Sequence, residues 1–391
     1  MNLFATIATN LEPLLADELT AMGMQNVRPT GGGVEYTGEL EDAYRVCLFS
    51  RLANTVLVPL ARFDAPHDRA LYEGVRAVRW SEHMRVEDTF AVDFTSSRSK
   101  LKHTHYGALK AKDAIVDQWR DRTGRRPSVD TTQPKLRVHV HVRKDVATVS
   151  IDLAGKGLHE RGWRTETTTA SIKENLAAAI LWRAGWPAMH AEGRPLLDPM
   201  CGAGTFLVEA YMMAADIAPG LYRRGGFALQ TWAQHDPKIW SELVDEAVRR
   251  EDAGRARVEM PVLVGHDVDR KAVQAARANL QNIDAAASVR VDAREVREIQ
   301  PVADAPGLVV VNPPYGARMG DAEDAKLAHE RLGAALMERF IGWKVSIITG
   351  SKELGFALGM RATKTYSVYN GPLECKLLHF DVLPHRFYTG G

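Results

Sequence analysis

The residues 312–315, Asn-Pro-Pro-Tyr, directly follow the apolar run 308–311. The exocyclic amine of a nucleic-acid base is a poor nucleophile, because its lone pair is delocalised into the ring. Two acceptors on its N–H groups draw the lone pair out of conjugation, and the Asn312 side-chain oxygen and the Pro313 carbonyl could supply them. Tyr315 would stack on the base, which is worth roughly 1 to 3 kcal/mol. The motif predicts methylation of an amine nitrogen, although Asn-Pro and Pro-Pro also mark ordinary turns.

A glycine loop lies upstream, between an apolar segment at 195–197 and a predicted helix start. Gly202 and Gly204 let the backbone pass close to a ligand. The loop lacks the third glycine of a dinucleotide fingerprint and the Gly-Lys-Ser/Thr of a phosphate-binding loop. Asp198 would repel a pyrophosphate and suits a cationic ligand such as S-adenosylmethionine, which carries an ammonium and a sulfonium. The predicted cofactor-binding residues here are Asp198, Cys201, Gly202, Gly204 and Thr205.

Two carboxylates end the next predicted strands. Asp267 follows the apolar run 262–265 and can accept hydrogen bonds from both hydroxyls of a ribose, while Asp269 is placed to cap the next helix. Asp292 is placed to accept an adenine amine, and Asn312 is predicted to contact the cofactor as well. Either aspartate alone is more typical of a cap or a solvated turn. Together with the loop and the turn, they agree with the rule that open α/β sheets bind ligands at the carboxyl ends of their strands.

These motifs resemble the Rossmann-like class I methyltransferases that act on amino groups. The tail resembles the terminal antiparallel hairpin of that fold, with Asn370-Gly371 as its turn. More narrowly, the chain resembles the bacterial guanine-N2 methyltransferases of large-subunit ribosomal RNA that carry a THUMP domain. The narrower resemblance lies in the segments 161–164, 174–180, 198–205, 227–240 and 312–316. It covers essentially the whole chain and implies S-adenosylmethionine as the cofactor.

The expected organisation is an α/β chain of three domains. A ferredoxin-like domain is expected at 1–55 and a THUMP α+β domain at 56–160, followed by the methyltransferase domain at 161–391. Residues 161–170 are predicted to form a linker, and Ser171 with Glu174 a capping box that opens the next helix. The long interval from the glycine loop to Asp267 predicts an insertion at 216–256, which either lines the substrate groove or covers the surface.

A cluster of basic residues predicts contact with RNA. Nine basic residues stand against three acidic ones between 95 and 126. Trp119 falls on the apolar stripe of a predicted helix and is therefore expected in the core rather than under a base. A solvated helix face is the alternative explanation of the charges. The predicted RNA-binding residues are Arg98, Lys100, Lys102, Lys110 and Lys112.

Composition limits the remaining possibilities. A net charge of +1 argues against a basic coat over the whole protein, so a site for a polyanion must be local. The three cysteines lack metal-ligand spacing, so neither a metal site nor a disulfide framework is expected. We expect a cytoplasmic protein, because no signal peptide and no apolar run of about 18 residues is found. The oligomeric state stays open.

The sequence therefore predicts transfer of a methyl group from S-adenosylmethionine to the N2 amine of a guanosine in 23S ribosomal RNA. A transfer RNA guanine-N2 methyltransferase is the nearest alternative, and a DNA adenine-N6 methyltransferase shares the same turn. A non-catalytic RNA-binding assembly factor is the alternative of another class. Cys201 as a nucleophile is disfavoured, because an amine held by Asn312 requires no covalent adduct with the base.

Overall fold

The computed structural model describes residues 1–168, 171–257, 260–314 and 321–384. The chain divides into two compact units. The first unit comprises 1–7, 15–158 and 225–245, and the second comprises 8–14, 159–224 and the residues from 246 onwards. Each unit contains one β-sheet.

The first unit is built on an eight-stranded sheet. Its strands are β1 (Asn2–Thr6), β2 (Gln25–Thr30), β3 (Gly33–Thr37), β4 (Thr55–Asp64), β5 (Thr89–Ser97), β6 (Ser128–Val129), β7 (Leu136–Arg143) and β8 (Val146–Asp152). They lie in the order β2-β3-β1-β4-β8-β7-β5-β6, and all neighbours are antiparallel except β5 with β6 and with β7. On β7 every second residue is buried, from Leu136 to Val142, as expected for a strand with one face on a core.

Four helices accompany this sheet in the sequence. They are α1 (Glu12–Ala21), α2 (Leu40–Phe49), α3 (Asp68–Ala77) and α4 (Thr104–Thr123). On α4 the buried residues Ala111, Ile115 and Trp119 recur at helical spacing, so the prediction that Trp119 belongs to the core is confirmed. The helix ends at Gly124, which takes a φ of 68° and donates its N–H to the Arg120 carbonyl at 2.8 Å.

Residues 225–245 fold into the first unit, although the sequence placed them within the methyltransferase domain. Trp232 is buried and stacks on His83, with ring centroids 6.1 Å apart. The Tyr44 hydroxyl lies 3.0 Å from His235 Nδ1 and accepts the N–H of Asp236 at 3.1 Å. Half of the predicted insertion therefore completes the core of the first unit.

The second unit is built on a seven-stranded sheet. Its strands are β9 (Leu196–Asp198), β10 (Leu263–Asp267), β11 (Val289–Ala293), β12 (Leu308–Val311), β13 (Lys344–Thr349), β14 (Lys364–Asn370) and β15 (Leu373–Asp381). They lie in the order β11-β10-β9-β12-β13-β15-β14. The first five are parallel, whereas β15 is antiparallel to both of its neighbours. Because the chain leaves β9 towards β10 and later returns to β12 on the other side of β9, the strand order reverses between β9 and β12.

In the described part of the chain, seven further α-helices follow the first four. They are α5 (Glu174–Arg183), α6 (Trp186–Ala191), α7 (Thr205–Ala214), α8 (Pro237–Arg255), α9 (Arg270–Gln281), α10 (Asp321–Arg339) and α11 (Lys352–Ala357). Asp269 caps α9 as predicted, because its side chain accepts the N–H of Lys271 at 2.8 Å. The strand β12 is buried along its whole length.

Three local predictions were wrong. The segment around Arg161 is not a linker, since Arg161 and Trp163 are almost fully buried in the second unit. Ser171 and Glu174 form no capping box, because Glu174 accepts from Arg164 at 2.7 Å and the helix is capped at Lys173 without a side-chain bond. The terminal hairpin turns at 371–372, one residue after the predicted Asn370-Gly371, because Asn370 still pairs with Leu373.

Candidate functional site

A cavity of about 500 Å³ lies in the second unit. Its walls come from the loops that follow β9, β10, β11 and β12, which meet at the carboxyl edge of the parallel sheet. One face of α10 and the residues 168, 171 and 172 complete the lining. The cavity therefore lies where the strand order reverses, which is the position at which open α/β sheets bind ligands.

The glycine loop forms one wall of this cavity. Gly202 and Gly204 take φ values of 52° and 80°, a region that side chains with a Cβ atom rarely occupy. A Cβ at Gly204 would lie 3.0 Å from Cβ of Ala276 on α9, so this glycine also permits close packing between the loop and a helix. Thr205 begins α7 directly after the loop, and Cys201 donates its N–H to the His266 carbonyl at 2.8 Å. The loop is thus fixed by backbone conformation.

Asp267 connects two strand ends. One of its carboxylate oxygens accepts the N–H of Gly202 at 2.9 Å, and the other accepts the N–H of Asp269 at 2.9 Å. Its side chain lines the cavity, and burial raises its pKa. Each oxygen keeps a second lone pair, so the carboxylate can still accept hydrogen bonds from a ligand.

Asp198 is the most deeply buried acid of the cavity, with 1% of its surface exposed. It accepts the N–H of Met200 at 3.2 Å. Burial raises the pKa of Asp198 well above its ordinary range, and the negative charge of Asp267 adds to the effect. The site therefore favours a cationic ligand, because a nearby positive charge stabilises the ionised form of both carboxyl groups.

Cys201 is buried beside these acids. Burial and the charges of Asp198 and Asp267 raise the pKa of the Cys201 thiol well above its ordinary range. The thiolate is the reactive form of cysteine, so this environment does not activate Cys201 as a nucleophile. Its side chain contributes packing to the cavity wall.

The turn after β12 supplies the opposite wall. Asn312 and Pro314 line the cavity, and Pro313 is buried between them. Tyr315, the predicted stacking residue, lies outside the described residues. The structure therefore brings Asn312 into one cavity with Asp198, the glycine loop and Asp267, as the spacing of the motifs predicted.

Asp292, like Gly204 and Pro313, is a described site residue outside the cavity lining. Among the described residues it does not line the cavity, and it lies 3.5 Å from an Arg277 nitrogen and 3.4 Å from an Arg290 nitrogen. Alternation along β11 places Arg290 and Asp292 on one face of the strand, which explains the pairing. Arg294 and Glu295, two and three residues further on, line the cavity instead. A role for Asp292 in holding adenine stays a prediction.

Two supporting interactions were not predicted. Asn279 on α9 is fully buried, donates to the carbonyls of Ala203 and Glu166, and accepts the N–H groups of Thr165 and Glu166, all within 3.1 Å. Arg164 joins Glu174 to Thr205 at the start of α7, at 2.7 and 3.0 Å. In the sequence Asn279 is one of several polar residues on an amphipathic helix, and its partners are more than 70 residues away.

The five predicted RNA-binding residues all belong to the first unit. Arg98, Lys100 and Lys102 precede α4 and are exposed. Lys110 lies 5.6 Å from the ring centre of Tyr106, and Lys112 forms an ion pair of 2.7 Å with Asp113. The structure thus separates the five residues into three exposed loop cations and two helix cations with neighbouring partners.

The strand order and the cavity define a Rossmann-like methyltransferase fold, preceded in the sequence by ferredoxin-like and THUMP α+β domains, and the predicted fold class is confirmed. Residues 161–379 match the family model of the RMKL-like methyltransferase domain. The chain belongs to this family. Residues 68–152 match the THUMP domain, and residues 2–57 match the RlmL ferredoxin-like domain.

Known proteins resemble the chain over nearly its full length. A ribosomal RNA large subunit methyltransferase K/L of Syntrophotalea carbinolica is 47% identical over 98% of the chain and 54% of the relative. The crystal structure of SMU.472 complexed with SAH is 29% identical, with a TM-score of 0.85 and 97% of each chain covered. A predicted N6-adenine-specific DNA methylase from Listeria monocytogenes is 28% identical, with a TM-score of 0.84 and coverage of 97% and 95%. The chain spans about half the length of the curated relatives it matches.

Proposed function

We propose that the chain transfers the methyl group of S-adenosylmethionine to the exocyclic N2 amine of a guanosine in 23S ribosomal RNA. The observation that carries the proposal is the single cavity that joins Asn312 to the glycine loop, Asp198 and Asp267. The name of the Syntrophotalea carbinolica relative supports ribosomal RNA as the substrate, and the SAH bound to SMU.472 supports the cofactor.

The residues of the cavity fit this cofactor by their charge. S-adenosylmethionine supplies an electrophilic methyl group on a sulfonium, together with an ammonium and two ribose hydroxyls. Asp198 and the glycine loop would hold the methionine end, and Asp267 would accept hydrogen bonds from the ribose. Because burial raises the pKa of both acids, a bound cation would stabilise their charged forms.

The turn after β12 would prepare the amine. The Asn312 side-chain oxygen and the Pro313 carbonyl would accept its two hydrogens, which draws the lone pair out of the purine ring. Tyr315 would stack on the base, which must leave its helix or come from a single-stranded loop. Attack of the amine nitrogen on the methyl carbon would break the carbon–sulfur bond and leave S-adenosylhomocysteine. The methylated amine would then be cationic and would release its proton to water without a strong general base. Most of the rate acceleration would then come from alignment of amine, methyl carbon and sulfur.

The amino-terminal region would bring the RNA. We propose domain limits of 1–55, 56–160 and 161–391, except that residues 225–245 pack with the first unit. Arg98, Lys100, Lys102, Lys110 and Lys112 are the proposed RNA contacts. A bacterial enzyme of ribosomal RNA would act in the cytoplasm. No described helix is both long and apolar enough to span a membrane, and the described residues hold no cluster of metal ligands.

Two measurements test the proposal. Calorimetry should show that the purified protein binds S-adenosylmethionine and not NAD, whereas a non-catalytic assembly factor would bind RNA alone. Nucleoside mass mapping should show one N2-methylguanosine missing from 23S RNA of cells without the protein, and restored by the protein with cofactor. Loss of the modification from transfer RNA instead, or of N6-methyladenine from DNA, would contradict the assignment to ribosomal RNA. The DNA outcome is tested because of the name of the Listeria monocytogenes neighbour.

A further inference from the structure

Basic residues from two distant parts of the sequence meet at one end of the eight-stranded sheet. The parallel pairing of β5 with β7 places Ser97 opposite Arg143. The hairpin between β7 and β8 turns at Lys144-Asp145, where both residues take positive φ values of 51° and 60°. The loop after β5 therefore lies beside the tip of this hairpin, and we call Arg98, Lys100, Lys102, Arg143 and Lys144 the tip cluster.

Asp145 fixes the loop against the hairpin. One of its carboxylate oxygens accepts the Ser99 hydroxyl at 2.7 Å and the N–H of Lys100 at 2.8 Å. The N–H of Lys144 donates to the Ser97 carbonyl at 3.3 Å. The hydrogen bonds from the Lys100 N–H and the Ser99 hydroxyl lower the pKa of Asp145, and the positive charge of Lys100 adds to the effect. The five cations of the tip cluster thus lie on a loop and a hairpin that hydrogen bonds hold together.

The tip cluster carries charge that the protein itself does not neutralise. All five of its side chains are exposed, and among the described residues none of them forms an ion pair. Asp145 is the acid held within the cluster, which leaves an excess of four positive charges. Exposed cations concentrated on one framework create a local positive potential, even in a chain whose net charge is +1.

Four of the six Lys and Arg residues of α4 and the loop after it have a charged or aromatic partner within the first unit. Arg120 pairs with Asp117 at 3.0 Å, and Arg125 with Glu87 at 2.8 Å. Lys112 pairs with Asp113, while Lys110 lies over the Tyr106 ring, whose hydroxyl donates to Asp68. Because these cations already have partners within the protein, they are less available to bind a phosphate. The helix is therefore the weaker candidate for RNA contact, although it supplied two of the five sequence predictions.

We propose that the tip cluster, including Arg143 and Lys144, is the surface on which the phosphate backbone of the RNA substrate docks. The inference rests on the proposed function, because it assumes that the chain acts on RNA. Arginine and lysine side chains neutralise phosphates and release counterions, which gives sequence-independent affinity that falls with salt. The tip cluster would hold the RNA and leave recognition of the target base to the cavity.

Two variants with equal numbers of substitutions test the proposal. The tip variant carries R98N, K100Q, K102Q, R143Q and K144N; asparagine is used at the positions with positive φ, because it tolerates that conformation. The control variant carries R69Q, R79Q, R120Q, R122Q and R125Q, which lie in the first unit outside the proposed RNA contacts and, except for Arg122, form ion pairs. The probe is protein-free 23S ribosomal RNA, and its dissociation constant is measured at several salt concentrations. Circular dichroism and calorimetric binding of S-adenosylmethionine verify that both variants remain folded.

The tip variant should lower the slope of log affinity against log salt by about 3.5, at about 0.7 per phosphate contact on a single strand. Between 50 and 200 mM salt, the wild type should therefore lose about 100-fold more affinity than the tip variant. The control variant should change the slope by less than about one. A control variant that loses as much as the tip variant would overturn the docking surface. Wild-type protein that binds cofactor but no RNA would instead overturn the proposed function.

Discussion

The cavity of the second unit and the tip cluster of the first unit both gather residues from distant parts of the sequence, but they do so under different energetic conditions. In the cavity, Asp198 and Asp267 are buried and their pKa values are raised. In the tip cluster, five exposed cations stand in solvent. A buried carboxylate has few neighbours that can replace its interactions, so a change in one cavity residue is not compensated by another. Exposed charges act additively and are screened by salt, so each tip residue contributes little alone.

The largest effect that we expect in this comparison is at Asn312 in the cavity. If this residue holds the amine in the transition state, Asn312→Ala should lower the rate of methyl transfer by on the order of 10² to 10³, a typical cost for one lost oriented hydrogen bond in a catalytic site. Single-turnover kinetics with 23S RNA measure this rate. Cofactor affinity, measured by calorimetry, should stay within about threefold, since the side chain is assigned mainly to the substrate.

A conservative change at the same position serves as the control. Asn312→Asp keeps a side-chain oxygen as an acceptor and should retain more of the rate than Asn312→Ala. Equal loss of rate in both variants, together with lost cofactor binding, would show that Asn312 supports the cofactor rather than the amine.

Two glycine-to-alanine substitutions, one in each unit, compare how well the units tolerate an added methyl group. Gly204 in the glycine loop of the second unit and Gly32 in the first unit both have positive φ, at 80° and 87°. A Cβ would lie 3.0 Å from Ala276 at Gly204, whereas it would meet nothing within 4 Å at Gly32. Gly32→Ala should therefore cost only the left-handed conformation, about 1 kcal/mol of unfolding free energy. Gly204→Ala should cost about 2 to 3 kcal/mol, because crowding adds to that strain.

Urea denaturation measures both glycine variants, and cofactor affinity supplies the second observable. Gly204→Ala should also weaken cofactor binding, because the crowded loop lines the cavity. Gly32→Ala should leave cofactor binding unchanged. Equal losses of unfolding free energy in the two variants would mean that the loop relaxes around the added methyl group. Close packing against Ala276 would then not explain why residue 204 is a glycine.

Sequence reasoning predicted correctly those parts of the chain in which the local sequence pattern and the sheet topology indicate the same position for a residue. The motifs at Asp198, Asp267 and Asn312 each end a buried strand, so one rule about parallel sheets brought them to one cavity. Asp292 ends a strand too, but alternation along β11 pairs it with Arg290, and the sequence gives no signal for which strand-end acid turns inward.

Partners distant in sequence explain the other errors. The segment 161–170 has the appearance of a linker in the sequence, and only the folded unit shows that Arg161 and Trp163 are buried. Ser171 and Glu174 had the spacing of a capping box, but Arg164 competes for the Glu174 carboxylate with a full positive charge. Arg143 and Lys144 join the tip cluster through strand pairing across more than 40 residues, which composition in a window cannot detect.

The smallest of these effects concerns the charge state of the cavity. The pKa of Asp198 lies well above its ordinary value of 3.8 because of burial. A carboxyl with a raised folded pKa contributes stability that is fully present below the unfolded value and is lost as pH rises through the folded value. The ligand-free protein therefore gives up this contribution as Asp198 ionises, and a bound cation should restore it.

Cofactor affinity should consequently fall as pH is lowered through the pKa of Asp198, by at most about tenfold per pH unit, because protonation of one group must be reversed on binding. Calorimetry over a pH series above the ordinary range of aspartate, in buffers of different ionisation enthalpy, would measure the number of protons released on binding. Asp198→Asn, which cannot ionise, should bind more weakly and show no proton release from this site. If the pH dependence of cofactor affinity is unchanged in that variant, the titrating group is not Asp198. Asp267, whose pKa is raised in the same direction, would then be the carboxylate that responds to the cation.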